Sequence, residues 1–160
     1  KNFIIFKQLL FYYKFNLHHD LLPWFGSKAC KKKYLKSFSN LRNLKNKKYP
    51  FYRVDTLFSD TKYQSVNVVS NGGWHFSNLK SVEELERKFL NDENHSEYEL
   101  QGFDIDRIKE NIKNRSIDYN HNAKQDSLDR FSPTKLQVAD IDILPNYLKK
   151  NLDKYKEWLD

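Results

Sequence analysis

Residues 65–90 constrain the fold more than any other part of the chain, because three different backbone demands follow one another there. The run SVNVVS at 65–70 is β-branched and suits a short strand. Asn71, Gly72 and Gly73 end it with residues that tolerate positive φ, so a tight turn is predicted. From Ser81 the chain reads SVEELERKFL, in which Ser81 and Glu84 have capping-box spacing and Val82, Leu85, Phe89 and Leu90 form one apolar stripe. A strand, a turn and a capped helix in immediate succession belong to a mixed class. The expectation is an α/β fold with a mixed sheet and flanking helices.

The rest of the chain is read on the same terms. Residues 9–15 (LLFYYKF) are dense in aromatics and predict a buried central strand. Residues 23–26 (PWFG) are expected to turn, and 27–38 show no clear period. Residues 40–48 (NLRNLKNKK) read as an exposed basic connector, and 51–58 (FYRVDTLF) as a short strand after Pro50. A second helix is predicted over 104–114, with Ile105, Ile108 and Ile112 on one face, followed by a polar stretch over 115–130. Pro145 stands where helices tend to begin, and Tyr147, Leu148, Leu152, Tyr155 and Leu159 predict a C-terminal helix. The 160 residues have room for one domain. With the first strand near residue 9, no nucleotide-binding βαβ unit fits before it, so a piece of a larger sheet is expected. Lys1 and the lack of any Met also point to missing upstream chain.

Composition narrows the function classes. An aromatic content of 16% is more than a disordered chain carries. Residues 3–17 are apolar, but Lys7, Gln8 and Lys14 interrupt them short of the ~20 apolar residues a membrane span needs. They also lack a small-residue cleavage site. Cys30 is the single cysteine, which excludes an intrachain disulfide and a cysteine-based metal site. The net charge of +7 attracts anions in general, whether nucleic acid, anionic lipid or a nucleotide-sugar diphosphate.

Chemistry concentrates at NGGWHFS, residues 71–77. Two glycines let a backbone approach a ligand closely, Trp74 offers a flat face for a sugar ring, and His75 can donate a hydrogen bond or move a proton. The structural alternative is an ordinary turn, a core tryptophan and a histidine satisfied by a neighbour. Farther on, His95 and Glu97 alternate, so an extended segment would point both the same way, as an acid–base pair or as metal ligands. Their alternative is a solvated polar loop.

Taken together, GGWHFS at 72–77, a short helix ending in Arg87-Lys88-Phe89, and H-x-E-Y at 95–98 resemble glycosyltransferase family 17. That family includes the β-1,4-mannosyl-glycoprotein 4-β-N-acetylglucosaminyltransferases. The tyrosine-rich stretch at 9–15, Trp24-Phe25-Gly26, and Leu144-Pro145-Asn146-Tyr147-Leu148 with Asn151 and Lys154-Tyr155 extend the likeness over residues 9–158. The resemblance implies the C-terminal part of a GT-A-like catalytic domain whose nucleotide-binding part lies upstream. It implies a hexosyltransferase-type enzyme that moves N-acetylglucosamine, or a related sugar, from a UDP-sugar donor to a hydroxyl of a glycan or glycoconjugate acceptor. It also implies a divalent metal, Mn²⁺ or Mg²⁺, held by an upstream D-x-D motif, so the fragment alone is expected to be inactive. The strings Asp104-Ile105-Asp106 and Asp140-Ile141-Asp142 match D-x-D, but one opens a helix and the other precedes Leu144-Pro145, so both are read as coincidental.

Under this resemblance Gly72 and Gly73 allow close backbone approach, Trp74 stacks on sugar, and His75 hydrogen-bonds sugar or diphosphate. Glu97 is the candidate base, His95 its neighbour or a ligand to phosphate or metal, and Arg42 a partner of the diphosphate. A bacterial or viral relative would be cytoplasmic and an animal one anchored in the Golgi. The competing reading is a basic nucleic-acid-binding module on Lys31-Lys32-Lys33 and residues 45–48, with Tyr34, Phe38 and Tyr49 interleaved. An inactive, truncated relative is a further alternative. A metal-dependent hydrolase on His18, His19, His75, His95 and Glu97 fits less well, because adjacent His18 and His19 cannot face one site from a strand.

Overall fold

A computed structural model of the chain describes residues 2–45, 47, 49–59, 62, 66–91, 104–118 and 132–160. Its strands are β1 (Phe3–Phe6), β2 (Leu9–Tyr12), β3 (Leu17–His18), β4 (Lys28–Cys30), β5 (Val66–Val69), β6 (Trp74–Ser77), β7 (Ser116–Ile117), β8 (Thr134–Lys135) and β9 (Gln137–Val138). Its α-helices are α1 (Phe38–Asn43), α2 (Val82–Leu90), α3 (Ile105–Lys113) and α4 (Asn146–Lys149). The class is mixed α/β, as expected. Where length alone suggests one domain, the chain gathers into two compact units: Lys1–Leu9 with Pro23–Gly73, and Leu10–Leu22 with Trp74–Asp160.

The first unit is built around β1, whose alternation turns Phe3 and Ile5 into the core. On one side β1 pairs in parallel with β5, from Phe3↔Val66 to Phe6↔Val69, and on the other it pairs antiparallel with β4. Leu44 is 1% exposed and closes the core with Phe3 and Ile5, while Leu41, Cys30 and Val66 pack against it. This corrects the reading of 40–48 as a connector. Ser37 accepts a hydrogen bond from the Asn40 N–H (3.1 Å) and starts α1, and the helix carries Leu41 toward the sheet.

Two other expectations in this unit fail because specific hydrogen bonds set the backbone. Residues 23–26 do not turn: Trp24 forms an antiparallel bridge with Gln8, each N–H reaching the other's carbonyl at 2.9 Å, and the chain continues extended into β4. Residues 51–58 form no strand. The Arg53 guanidinium grips the Asp55 carboxylate with two bonds (2.7 and 2.8 Å) and the Thr56 hydroxyl bonds the Arg53 carbonyl (2.7 Å), which winds Val54–Thr56 into a 3₁₀ turn. Phe51 and Phe58, whose apolar character suggested a strand, are 95% and 86% exposed.

In the second unit a sheet runs in the order β6-β2-β3-β9. β2 ends before residue 15, because buried Tyr13 takes φ 62° and turns the chain. Both predicted long helices form. α2 has the complete capping box, with Ser81 Oγ accepting from the Glu84 N–H (3.3 Å) and Glu84 Oε2 from the Ser81 N–H (3.2 Å). Leu85 and Phe89 are its buried face, whereas Leu90 is half exposed and lies off the stripe. α3 starts at Asp104, which caps the Arg107 N–H (2.9 Å), and it packs on α2 with Ile108 buried. The predicted C-terminal helix is broken: α4 is short, and a 3₁₀ segment, Leu152–Trp158, follows with Tyr155 at φ −113°. Tyr155 packs edge-on against Phe15 (5.6 Å) and meets Tyr147 (6.3 Å), so aromatic contacts shape this segment.

Candidate functional site

The GGWH segment sits where a parallel strand pair changes register. Lys7 donates to the Val69 carbonyl (3.0 Å), and Leu9 donates to the Gly73 carbonyl (3.0 Å). One strand thus advances from 7 to 9 while the other advances from 69 to 73. The surplus is taken up as a bulge over 70–73, tied by the Gly72 N–H to the Lys7 carbonyl (2.9 Å).

Each glycine has its own reason to be there. A Cβ on Gly72 would lie 2.6 Å from Phe6 Cβ, 2.8 Å from Phe6 Cα and 2.9 Å from Lys7 N, so its bare face is covered by this chain. Gly73 has φ +113°, where side chains are strained. The missing side chain of Gly72 lets the bulge close on β1.

The bulge delivers Trp74 and His75 to successive positions of β6. Successive strand residues point to opposite faces, so the two side chains do not share one face. Phe76 lies on the Trp74 side and packs against Phe11 (5.2 Å) and Phe15 (5.3 Å, edge-on). The Trp74 indole N–H donates to the Ile143 carbonyl at 2.6 Å, and the residue remains 40% exposed. An indole held at its polar edge and partly open to solvent is a rigid platform. His75 is partly buried, and that burial pushes its pKa below the ordinary 6.5. It is neutral at pH 7, with one ring nitrogen to donate and one to accept.

The other candidates fall elsewhere. Arg42 lies exposed in the last turn of α1, in the first unit, where its carbonyl accepts from the Lys28 ammonium. His95 and Glu97 lie outside the described residues. The first D-x-D string opens a helix, as expected, and both strings act as capping devices. Asp104 caps α3, and Asp140 Oδ1 accepts from the Asp142 N–H (3.0 Å) to start the 3₁₀ turn Ile141–Ile143. His18 and His19 part company as adjacent strand-end residues should. His19 is 1% exposed, and burial lowers the pKa of each below 6.5.

Sequence reasoning missed the Ile143 carbonyl that holds Trp74. No local signal announces a backbone acceptor so far along the chain; the aromatic recurrence at Tyr147 and Tyr155 is the nearest hint that residues 141–158 fold back on the sheet. No protein-family model matches the chain, and no curated protein and no solved structure shows significant similarity to it.

Proposed function

We propose that this chain is the C-terminal part of a GT-A-like glycosyltransferase of family 17 type. It transfers N-acetylglucosamine, or a related sugar, from a UDP-sugar to a hydroxyl of a glycan acceptor. The observation that carries the reading is Trp74, an indole anchored to Ile143 and 40% exposed at the head of β6. An aromatic ring fixed in this way stacks on the C–H face of a pyranose without losing rotamer freedom on binding.

Each group in the motif then has a role consistent with its environment. Gly72 and Gly73 form the bulge that sets Trp74 at the strand head. His75, being neutral, serves as a hydrogen-bonding group and not as a cation offsetting diphosphate charge. In the reaction the acceptor oxygen bonds to the anomeric carbon as the bond from that carbon to the diphosphate oxygen breaks. The hydroxyl proton passes to a carboxylate base, the role assigned to Glu97 beside His95 on motif position alone. A bound Mn²⁺ or Mg²⁺ would offset charge on the departing diphosphate.

Calorimetric titration of UDP-N-acetylglucosamine with Mn²⁺ into the full-length gene product tests the proposal. Trp74→Ala should weaken donor or acceptor binding about tenfold, and Trp74→Phe should keep most of it. Unchanged binding of donor and acceptor by Trp74→Ala, or no binding of any nucleotide-sugar by the parent protein, would end this reading.

A further inference from the structure

We propose that the first unit carries a binding site for a small phosphate-bearing anion, a phosphate or diphosphate group, in the cavity walled by Lys45, Lys47, Tyr49, Arg53 and Lys62. The cavity has a volume of about 260 Å³, and four of its five lining residues are cations. It lies just below the roughly 300–1,000 Å³ of small-molecule pockets. That is room for the charged group of a ligand whose remainder stays outside.

The cations are gathered by the fold. Leu44, buried in the core, fixes the entry to the segment, and Thr56, also buried, fixes its return. Between them the Asp55 carboxylate takes both guanidinium bonds from Arg53 and a third from the Lys62 ammonium (2.9 Å). Those bonds hold the Asp55 carboxyl far below the usual range, so it stays ionised and keeps the two cationic heads in place.

One carboxylate cannot balance this wall. Asp55 serves two of the four cations, and among the described residues no carboxylate lies within ion-pair distance of Lys45 or Lys47. Lys47 reaches over the Tyr49 ring instead, its ammonium 5.9 Å from the centroid. The positive field extends beyond the cavity: burial and, after it, the Lys45 charge push the Lys28 ammonium down from its ordinary pKa. Four cations held around one carboxylate among the described residues raise the free energy of the empty site, and a multivalent anion removes that cost. The Lys45 and Lys47 ammonium groups, the N–H groups of Arg53 and Lys62 that Asp55 does not take, and the Tyr49 hydroxyl are donors suited to phosphate oxygens.

The site does not depend on the transferase reading. If that reading holds, a UDP-sugar diphosphate is a natural occupant; if it fails, the anion site stands by itself. The experiment is calorimetric titration of the chain with sodium pyrophosphate, UDP, uridine and a single-stranded oligothymidylate, each at low and high salt. Pyrophosphate and UDP should bind saturably at one site and uridine should not. Lys45→Glu and Lys47→Glu should each weaken pyrophosphate about tenfold, and Lys47→Arg should keep most of the binding. Neither lysine has an ion-pair partner among the described residues, so thermal melting should be unchanged in these variants. Trp74→Ala should bind pyrophosphate as the parent does. UDP binding tighter than pyrophosphate identifies a nucleotide as the source of the phosphate, and equal affinities identify the phosphate group alone. The proposal is overturned by no saturable pyrophosphate binding, or by charge-reversed variants that bind like the parent. It is also overturned if oligothymidylate displaces pyrophosphate with steep salt dependence, which would assign the cavity to nucleic acid.

Discussion

Replacing Gly72 with alanine should cost about 2–4 kcal/mol of folding stability, and the structure supplies the parts of that figure. The new Cβ would meet Phe6 Cβ at 2.6 Å, Phe6 Cα at 2.8 Å and Lys7 N at 2.9 Å. Two of these atoms are backbone of the β1 strand and its extension, which cannot swing aside as a long side chain does. Retreat would stretch the Gly72 N–H bond to the Lys7 carbonyl (2.9 Å) and the Lys7 N–H bond to the Val69 carbonyl (3.0 Å). Overpacking of this kind costs about 1–3 kcal/mol, and one weakened backbone bond adds about 1 kcal/mol. For a chain of this length the melting temperature should fall by about 5–15 °C. Gly73→Ala is the control. Among the described residues its Cβ would find only Gln8 Nε2 at 3.6 Å, an ordinary contact, so the cost is that of positive φ, about 1–2 kcal/mol. Urea denaturation followed by far-UV circular dichroism gives both values. A Gly72→Ala protein within about 0.5 kcal/mol of the parent, or a Gly73→Ala protein less stable than Gly72→Ala, refutes the steric argument. If Gly72→Ala keeps its stability and loses donor binding, ligand approach is the reason for the glycine.

Other expectations concern the second unit. Asp118→Ala removes the acceptor of Arg107 Nε (2.8 Å) and of Asn111 Nδ2 (2.5 Å) and leaves Asn111, only 6% exposed, with an unpaired donor. The loss should be about 2–3 kcal/mol in denaturant titrations, and a loss under about 1 kcal/mol would remove the network from the account of stability. Ser81→Ala should cost about 1 kcal/mol and speed amide exchange in the first turn of α2, and unchanged exchange would mean the capping box is not what starts that helix. Acid should destabilise the fold. His18, His19 and His75 have pKa values lowered by burial, so between their folded values and 6.5 the unfolded chain binds more protons than the folded one. Stability is therefore complete above pH 6.5 and falls as pH drops through that window. Unfolding titrations at pH 7.5 and 5 should differ in that sense, and His19→Gln should flatten the slope. A flat profile in the parent contradicts the assignment.

What the sequence determined by itself is local. α2 and α3 were legible because their caps and apolar stripes act within a few residues: Ser81 with Glu84, Asp104 with Arg107, Leu85 with Phe89. The β-branched run closing at Val69 was legible for the same reason, as was the turn that follows it. Segments whose conformation is set by specific hydrogen bonds, local or distant, were misread from their composition. Residues 51–58 have strand composition, but the Arg53–Asp55 fork and the Thr56 hydroxyl bend them into a 3₁₀ turn. Pro23 to Gly26 have turn composition, but pairing with Gln8 keeps Trp24 extended.

The candidate site divides along the same line. The motif NGGWH was visible, and its glycines marked a special backbone. Tertiary structure decided what that backbone is for: a two-residue surplus against β1, with Gly72 covered by Phe6 and Lys7 and the Trp74 indole tied to Ile143. It also decided that Trp74 and His75 face apart, since strand alternation overrides adjacency in sequence. The basic cavity shows the same dependence. Its lysines could be counted in the sequence, but only the buried anchors Leu44 and Thr56 and the shared Asp55 carboxylate bring Lys45, Lys47, Arg53 and Lys62 around one space. Charge convergence is a property of the folded backbone, because the unfolded chain would keep like charges apart.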